Sequence, residues 1–181
     1  MSNANKSELR RTIRRLTASL SAEQKEAESA RIEAALLARE DVGKAATIAL
    51  FLSLDDEPQM RGVIGALAAT HRIVVPRIDG DEMEFAAYSP ATLRIGAFGI
   101  EEPAEGEGET VSPADIDLMI VPGVAFTREG ARLGRGRGYY DRYRARKGFR
   151  AFCIGVCFAE QIVGHIPTEP HDKAVDEVVS A

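Results

Sequence analysis

Apolar side chains in the first part of the chain recur at helical spacing. One stripe, with intervals of four, three and four residues, consists of Leu9, Ile13, Leu16 and Leu20. Such a stripe predicts an amphipathic helix over residues 7–20. Ser21, followed three residues later by Gln24, is the capping-box pattern that begins a helix. We therefore predict a second helix from this point to residues 41–43.

Short apolar runs follow, separated by segments of loop or helix character. Predicted strands cover residues 46–54, 72–76, 82–88, 117–121, 150–158 and 175–179. The acidic residues at 55–58 fit the first turn of a helix that extends to residue 70, because the positive end of a helix dipole favours carboxylates. Another helix is predicted over residues 139–147. Strands that alternate with helices predict an α/β fold with a mostly parallel central sheet.

The length and composition fit one domain without a membrane span. The chain has 181 residues, of which 45% are hydrophobic, enough for a sizeable core. No apolar run approaches the roughly 18 residues of a membrane-spanning helix, and the first residues lack the apolar segment of a secretory signal. We expect a single domain over residues 1–181, located in the cytoplasm, monomeric and not bound to a membrane.

The two cysteines, Cys153 and Cys157, fall in one apolar predicted strand. Their spacing places both on the same face of that strand, with Cα atoms about 13 Å apart at ~3.3 Å per residue. This separation is too large for a disulfide without backbone movement. We expect both to be buried structural thiols.

Positive charge is concentrated in one stretch of an otherwise acidic chain. The net charge is −5, yet residues 128–150 hold nine Lys/Arg against two Asp/Glu. A domain that binds nucleic acid is usually basic overall, so this distribution favours a local site for a small anion and no nucleic-acid partner. An exposed, solvated basic helix fits the charge count equally well.

The centre of this basic stretch alternates glycine with arginine. Gly134, Gly136 and Gly138 flank Arg135 and Arg137, between a predicted strand and a predicted helix. Glycines let backbone N–H groups approach an anion, the positive end of a helix dipole supports it, and arginines offer forked donors to phosphate. The stretch therefore predicts a phosphate-binding loop, although it matches neither the Walker nor the G-x-G-x-x-G pattern. A glycine-rich turn with solvated arginines is the alternative.

Asp141 lies three residues after Gly138, in the first turn of the predicted helix. Its carboxylate could complement the helix dipole. It could also hold Mg²⁺ beside phosphate groups, since that ion usually takes one or two carboxylates plus phosphate oxygens. The position alone leaves both interpretations open.

The stretch PGVAFTREGARLGRGRGYYDRY, residues 122–143, resembles the signature of the 5-formyltetrahydrofolate cyclo-ligase family. Further matching segments, spread in order over nearly the whole chain, are residues 6–10, 51–57, 75–77 and 171–178. The resemblance implies a three-layer α/β domain related to sugar-phosphate isomerases and CoA transferases. It also implies ATP-dependent conversion of 5-formyltetrahydrofolate to 5,10-methenyltetrahydrofolate, with ATP as co-substrate and Mg²⁺ as cofactor.

The resemblance also implies roles for individual residues. ATP would be bound by Lys6, Ser7, Arg10, Arg132, Leu133, Gly134, Arg135, Gly136, Arg137, Gly138, Tyr139 and Tyr140. The folate substrate would be bound by Leu52, Glu57, Arg135, Gly136, Gly138 and Tyr139. The catalytic residues would be Arg135, Arg137 and Tyr140, and Mg²⁺ would be held by Asp141 and Asp176.

Each assignment has a plainer alternative. Lys6 and Arg10 also fit a solvated helix face, and Glu57 also fits a first helical turn. Leu52 is a core residue by its strand position, and Asp176 fits an outward-facing position of an alternating strand. The two adjacent tyrosines could both anchor the helix, and the sequence does not say which of them faces a substrate.

One position departs from a common form of the family motif. Many family members carry Lys or Gly where this chain has Arg137, and Arg presents its charge differently, so the contact made there is open. Residues 97–100 resemble a loop that lines the folate pocket.

Two other functions fit a basic loop: a non-catalytic module that binds RNA or a phosphorylated partner, and a sugar-phosphate isomerase-like enzyme that needs no ATP.

Overall fold

The structure, a computed structural model, describes residues 2–96 and 99–181, with side chains from residue 5 onward in the first helix. Its helices are α1 (Ser2–Ala18), α2 (Ala22–Leu37), α3 (Glu40–Lys44), α4 (Arg61–Leu67) and α5 (Tyr139–Arg144). Its strands are β1 (Thr47–Ala49), β2 (Arg72–Asp79), β3 (Glu82–Ala87), β4 (Leu93–Ile95), β5 (Glu101–Pro103), β6 (Leu118–Pro122), β7 (Ala125–Phe126), β8 (Arg132–Leu133), β9 (Phe152–Cys157) and β10 (Glu177–Ser180). Residues 97 and 98 of the predicted folate loop lie outside the described residues.

A six-stranded sheet forms the centre of the fold, in the order β10-β9-β6-β1-β2-β3. Neighbouring strands run parallel, except that β3 pairs antiparallel with β2. The prediction of an α/β fold with a mostly parallel sheet is therefore confirmed. Parallel strands bring their carboxyl ends to one edge, where such sheets bind ligands.

Side chains alternate between the two faces of the sheet and create a core on each. In β6, Leu118 and Ile120 join the core covered by α2, α3 and α4, whereas Met119 and Val121 join the core covered by α5. This is the period-two alternation of a sheet buried on both faces. Helices on both sides of the sheet make the three layers that the family resemblance implies.

Helix α1 packs outside these layers, against the hairpin formed by β7 and β8. Ile13 of α1 is buried with Val124, Ala125 and Leu133. The predicted apolar stripe is only partly covered, since Leu16 remains 44% exposed. The contact places the first helix beside residues 134–138, which we call the glycine–arginine loop.

Several predicted boundaries were wrong. Residues 55–58, of which the first three are acidic, form a turn and not a helix. Helix α4 begins later, after its N-cap Met60, and the Ser53 hydroxyl closes the turn by accepting from the Met60 N–H at 3.0 Å. Strand β1 ends at Ala49, and α5 ends at Arg144, so the helix after the loop has only six residues. The separate helix α3 and the hairpins β4–β5 and β7–β8 were not predicted.

Strand β2 was predicted to end at Pro76, yet it continues to Asp79. Pro76 lies opposite Phe85, whose carbonyl points away from β2 and accepts from the Val111 N–H at 2.9 Å. The backbone of Pro76 therefore faces the side of β2 where β1 has already ended. A proline at that position costs the sheet no ladder hydrogen bond.

Both cysteines are unpaired and buried in the core on the α5 side of the sheet, as predicted. Burial raises the pKa of Cys157 to about 12 and also raises that of Cys153. Both thiols are therefore protonated and unreactive at neutral pH.

Across residues 2–96 and 99–181, the structure contains no helix that combines the length and apolarity needed to cross a membrane.

Candidate active site

A cavity of about 440 Å³ opens at the carboxyl edge of the sheet. Its walls come from the chain after β1, the hairpin β2–β3, the end of β6 and the glycine–arginine loop. Nine residues with sequence-predicted roles line it: Leu52, Glu57, Arg132, Gly134, Arg135, Arg137, Gly138, Tyr139 and Tyr140. The fold therefore brings most of the predicted folate-binding and loop residues around one space.

The other predicted residues lie outside the cavity wall. Ser7 is exposed, and Leu133 is buried in the core beneath the loop. Lys6, Arg10 and Gly136 lie on the far side of the loop, and their contacts are described below. Asp141 and Asp176 also lie outside the residues that line the cavity.

Arg135 is held by two carboxylates of the acidic turn. Its Nε and Nη2 donate to Glu57 Oε1 at 3.0 and 2.8 Å, and its Nη1 and Nη2 donate to the two carboxylate oxygens of Asp56. Glu57 is also fixed from behind, because its Oε2 accepts from the Leu54 N–H at 3.0 Å. The stretch that was expected to begin a helix is thus the anchor of the basic loop.

The two carboxylates on Arg135 differ in their electrostatics. Glu57 is buried, and burial raises its pKa in spite of the guanidinium beside it. Partial burial also acts to raise the pKa of Asp56, but the hydrogen bonds from Arg135 outweigh it and the pKa is lowered. Asp56 is therefore the more firmly ionised partner.

Arg132 spans the base of the cavity. Its Nη1 donates to the Pro122 carbonyl at 3.0 Å and its Nη2 to Asp141 Oδ2 at 2.9 Å. Burial lowers the pKa of this guanidinium, although Asp141 opposes the shift. Its Nε is buried without a hydrogen-bond partner in the structure, so Arg132 retains a donor for a further acceptor.

Two cations of α1 reach the loop and the segment near the C-terminus. Lys6 is buried, and its Nζ donates to Glu169 Oε2 at 2.8 Å and to Asp172 Oδ2 at 2.6 Å. Burial acts to lower the pKa of Lys6, but the two carboxylates outweigh it and the pKa is raised. Arg10 donates from Nε to the Gly134 carbonyl at 2.8 Å. The plain alternative of a solvated helix face is thus wrong for Lys6.

Backbone geometry explains one glycine of the loop directly. Gly136 has φ of 106°, a conformation that residues with a Cβ rarely adopt. The guanidinium of Arg10 lies on the side where a Cβ would point, at 3.6 Å. A side chain at this position would therefore strain the loop, and it would lie in van der Waals contact with Arg10.

Tyr139 and Tyr140 of α5 both line the cavity, so each has a face toward it. The Tyr139 hydroxyl donates to the Gly80 carbonyl at 3.2 Å, which ties the loop to the β2–β3 turn. The Tyr140 ring lies against the Arg132 guanidinium at 5.4 Å and contacts the edge of Phe85. Burial raises the pKa of the Tyr140 hydroxyl far above its ordinary value.

The two predicted Mg²⁺ ligands have protein partners. Asp141 accepts from Arg132 through Oδ2 and from the Lys173 N–H through Oδ1 at 3.0 Å. Asp176 is exposed and accepts from the Cys153 N–H at 2.7 Å, near the start of β9 and away from the carboxyl edge of the sheet. Asp141 lies beside a cavity-lining arginine, whereas Asp176 does not.

Sequence reasoning missed the apolar half of the cavity. Its unassigned walls include Phe51, Leu54, Pro76, Ile78 and Met83, whereas Ile100 belongs to the segment 97–100 that was predicted to line the pocket. The first two flank Leu52 in the same apolar run, which was a usable signal. The hairpin residues gave no such signal, because only the pairing of β2 with β3 turns them toward the loop. Gln161 was also missed; it donates to the carbonyls of Gly123 and Val124, both at 3.0 Å, beneath the cavity.

Comparison with known proteins gives a consistent result. The model of the 5-formyltetrahydrofolate cyclo-ligase family matches residues 2–181. A 5-formyltetrahydrofolate cyclo-ligase from Mus musculus is 30% identical, with 98% of this chain and 94% of that protein covered. The solved structure of a 5,10-methenyltetrahydrofolate synthetase from Aquifex aeolicus has a TM-score of 0.86 at 35% identity, covering 97% of this chain and 89% of that one. A synthetase of the same name from Mycoplasma pneumoniae has a TM-score of 0.77 at 25% identity, covering 96% of each chain. The chain belongs to the 5-formyltetrahydrofolate cyclo-ligase family.

Proposed function

We propose that this protein converts 5-formyltetrahydrofolate and ATP to 5,10-methenyltetrahydrofolate, ADP and phosphate. Membership of the family makes it a ligase of folate metabolism. The observation that carries the proposal for this chain is the composition of its cavity. Apolar walls suited to a ring system face a glycine–arginine loop suited to phosphates, and the cavity between them has a volume of about 440 Å³.

The proposed chemistry has two steps. The formyl oxygen attacks the γ-phosphorus of ATP, so that an O–P bond forms and ADP leaves. N10 of the folate then attacks the formyl carbon and loses its proton, and the C–O bond to phosphate breaks. An amide oxygen is a poor leaving group, and its phosphorylation removes that obstacle. Such transfer needs positioning and charge neutralisation more than a protein nucleophile.

The triphosphate is proposed to lie along the loop, between the cavity and α1. Arg132 supports this placement, because its buried Nε is a donor without a partner in the structure. Arg10, held at the Gly134 carbonyl, keeps α1 against the same loop. Arg135 and Arg137 are proposed to stabilise the charge that develops on the transferred group, and Tyr140 to position it.

The pterin ring is proposed to occupy the apolar side of the cavity, near Leu52 and Met83. Glu57 is the group proposed to select it, since a pterin edge presents N–H donors to a carboxylate. The position is supported by the fixed orientation of Glu57, whose Oε2 is held by the Leu54 N–H.

Mg²⁺ is proposed to bind with ATP, where it would neutralise charge on the phosphate oxygens. Asp141 fits this role better than Asp176, because it adjoins Arg132 at the cavity. We predict that Asp141→Asn raises the Mg²⁺ concentration needed for half-maximal activity. An unchanged Mg²⁺ titration would assign Asp141 to orienting Arg132 alone. Asp176→Asn, tested in parallel, measures whether the second carboxylate affects the Mg²⁺ concentration needed for half-maximal activity.

The remaining expectations belong to the same proposal. We propose a single domain that works as a cytoplasmic monomer on small molecules, without a nucleic-acid partner. The acidic balance of the chain, with a net charge of −5, supports the absence of nucleic-acid binding.

Purified protein mixed with 5-formyltetrahydrofolate, ATP and Mg²⁺ should produce the methenyl chromophore with one ADP per product. Omission of ATP should abolish the signal, which separates this reaction from an isomerase-type activity. A folded protein that forms no product under these conditions would exclude the proposal.

A further inference from the structure

The hydrogen bonds of Arg135 leave little of its guanidinium for a ligand. Four bonds to Asp56 and Glu57 use four of the five N–H donors of an arginine side chain. Forked recognition of a phosphate needs two parallel N–H groups. Arg135 can therefore grip a phosphate in this way only if it releases one of the carboxylates.

The two carboxylates are not equally easy to release. The Glu57 side chain is 7% exposed and is fixed by the Leu54 N–H, so separation from Arg135 would leave a buried charge without its counter-ion. The Asp56 side chain is 34% exposed and can be hydrated where it stands. Asp56 is therefore the partner that can be exchanged at low cost.

The local backbone and the charge balance both favour such an exchange. Arg135 lies between Gly134 and Gly136, which leaves its backbone unusually free to turn. Two carboxylates face this one guanidinium, so Asp56 adds a second negative charge at Arg135 that disfavours a polyphosphate there. Asp56 lies outside the residues that line the cavity, so its replacement leaves the cavity wall unchanged.

We propose that Asp56 is a displaceable counter-ion of Arg135: it holds the arginine in the empty site and yields it to phosphate oxygens when ATP binds. The inference rests on the proposed function, because it takes the anion to be ATP. Asp56 is thus a residue that sets nucleotide affinity. It weakens the binding of ATP and keeps the loop ordered when the site is empty.

The test is the dissociation constant of a non-hydrolysable ATP analogue with Mg²⁺, measured by calorimetry. Asp56→Asn keeps the size of the side chain and removes its charge, and we expect binding to tighten about fivefold. The matched control is Asp55→Asn, which removes an adjacent exposed charge and should change binding less than twofold. In an Arg135→Ala background, Asp56→Asn should have no effect on binding.

Each outcome bears on the proposal. Weaker or unchanged binding in Asp56→Asn would overturn it and make Asp56 a fixed support of Arg135. Equal tightening in Asp55→Asn, or tightening that persists without Arg135, would reduce the effect to general charge and also overturn it. Wild-type turnover, measured separately, tests the cyclo-ligase proposal, so failure of one can be told from failure of the other.

Discussion

Arg135 meets both halves of the cavity, since it contacts Glu57 on the side proposed for folate and belongs to the loop proposed for phosphate. The alternation of arginine with glycine in the sequence predicted that Arg135 belongs to a phosphate-binding loop. It could not predict the carboxylate partners, because Asp56 and Glu57 are 79 and 78 residues away along the chain. Such pairs are created by the strand order and leave no local pattern.

Arg135→Ala should lower kcat by about 100-fold, the size of effect expected when one preorganised charge donor is lost. The matched control is Arg150→Ala, which removes an arginine of the same basic stretch that donates to the Ala114 carbonyl. Its kcat should stay within about twofold, because that contact stabilises no developing charge. Steady-state formation of the methenyl chromophore measures both variants. Near-normal kcat in Arg135→Ala would remove it from the catalytic residues.

Strand β9 and the hairpin β7–β8 meet at a contact that only glycine permits. A Cβ on Gly155 would lie 2.4 Å from the ring of Phe126, which is fully buried and has no room to move. A Cβ on Gly123 would lie 2.6 Å from the same ring. The backbone that leads into the loop is therefore positioned by one aromatic ring between two glycines.

Gly155→Ala should lower the free energy of unfolding by about 1–3 kcal/mol, the usual cost of overpacking a core. Gly65→Ala is the matched control, since a Cβ there meets nothing within 4 Å and Gly65 lies inside α4. That change should instead stabilise the protein by about 0.5–1 kcal/mol, because alanine favours a helix. Urea unfolding of both variants decides the matter, and equal effects of the same sign would contradict this account.

Helices and strands were predicted well where an apolar pattern was clear, as in α1, the start of α2 and the strands β6 and β9. Prediction failed at boundaries that depend on a neighbour. The acidic turn did not become a helix because Ser53 and Arg135 bind it. Strand β2 passed through Pro76 because β1 had ended beside it. Neither fact is contained in local propensity.

Lys6 links the first helix to a segment far along the chain, residues 169–172. Its ammonium group joins the first helix to Glu169 and Asp172, 163 and 166 residues further along. The sequence suggested a role for Lys6 only through family resemblance. The two carboxylates that pair with Lys6 were not predicted, since residues so far apart along the chain leave no local sequence pattern.

Asp172→Asn should destabilise the protein at neutral pH by about 1–2 kcal/mol, because a buried ammonium loses one of its counter-charges. Lys6 holds the pKa of Asp172 below its ordinary value in spite of burial. A lowered pKa contributes stability above the ordinary value of about 3.9, and this is lost as pH falls through the folded value. The difference between wild type and variant should therefore shrink below about pH 4.

Urea unfolding at pH 7, 5 and 3 measures this difference. The control is Glu105→Gln in the exposed loop after β5, which should track the wild type at every pH. A gap between Asp172→Asn and wild type that stays constant from pH 7 to 3 would show that the carboxylate charge is not the cause.

The partners of Lys6 have a consequence for synthesis. A ribosome makes α1 well before residues 169–172, so the ammonium group of Lys6 waits for its counter-charges while the 163 and 166 residues up to Glu169 and Asp172 are made. A stalled nascent chain with those residues still in the exit tunnel leaves Lys6 without either of its counter-charges. A helix made early thus completes its contacts only after residue 172 has left the ribosome.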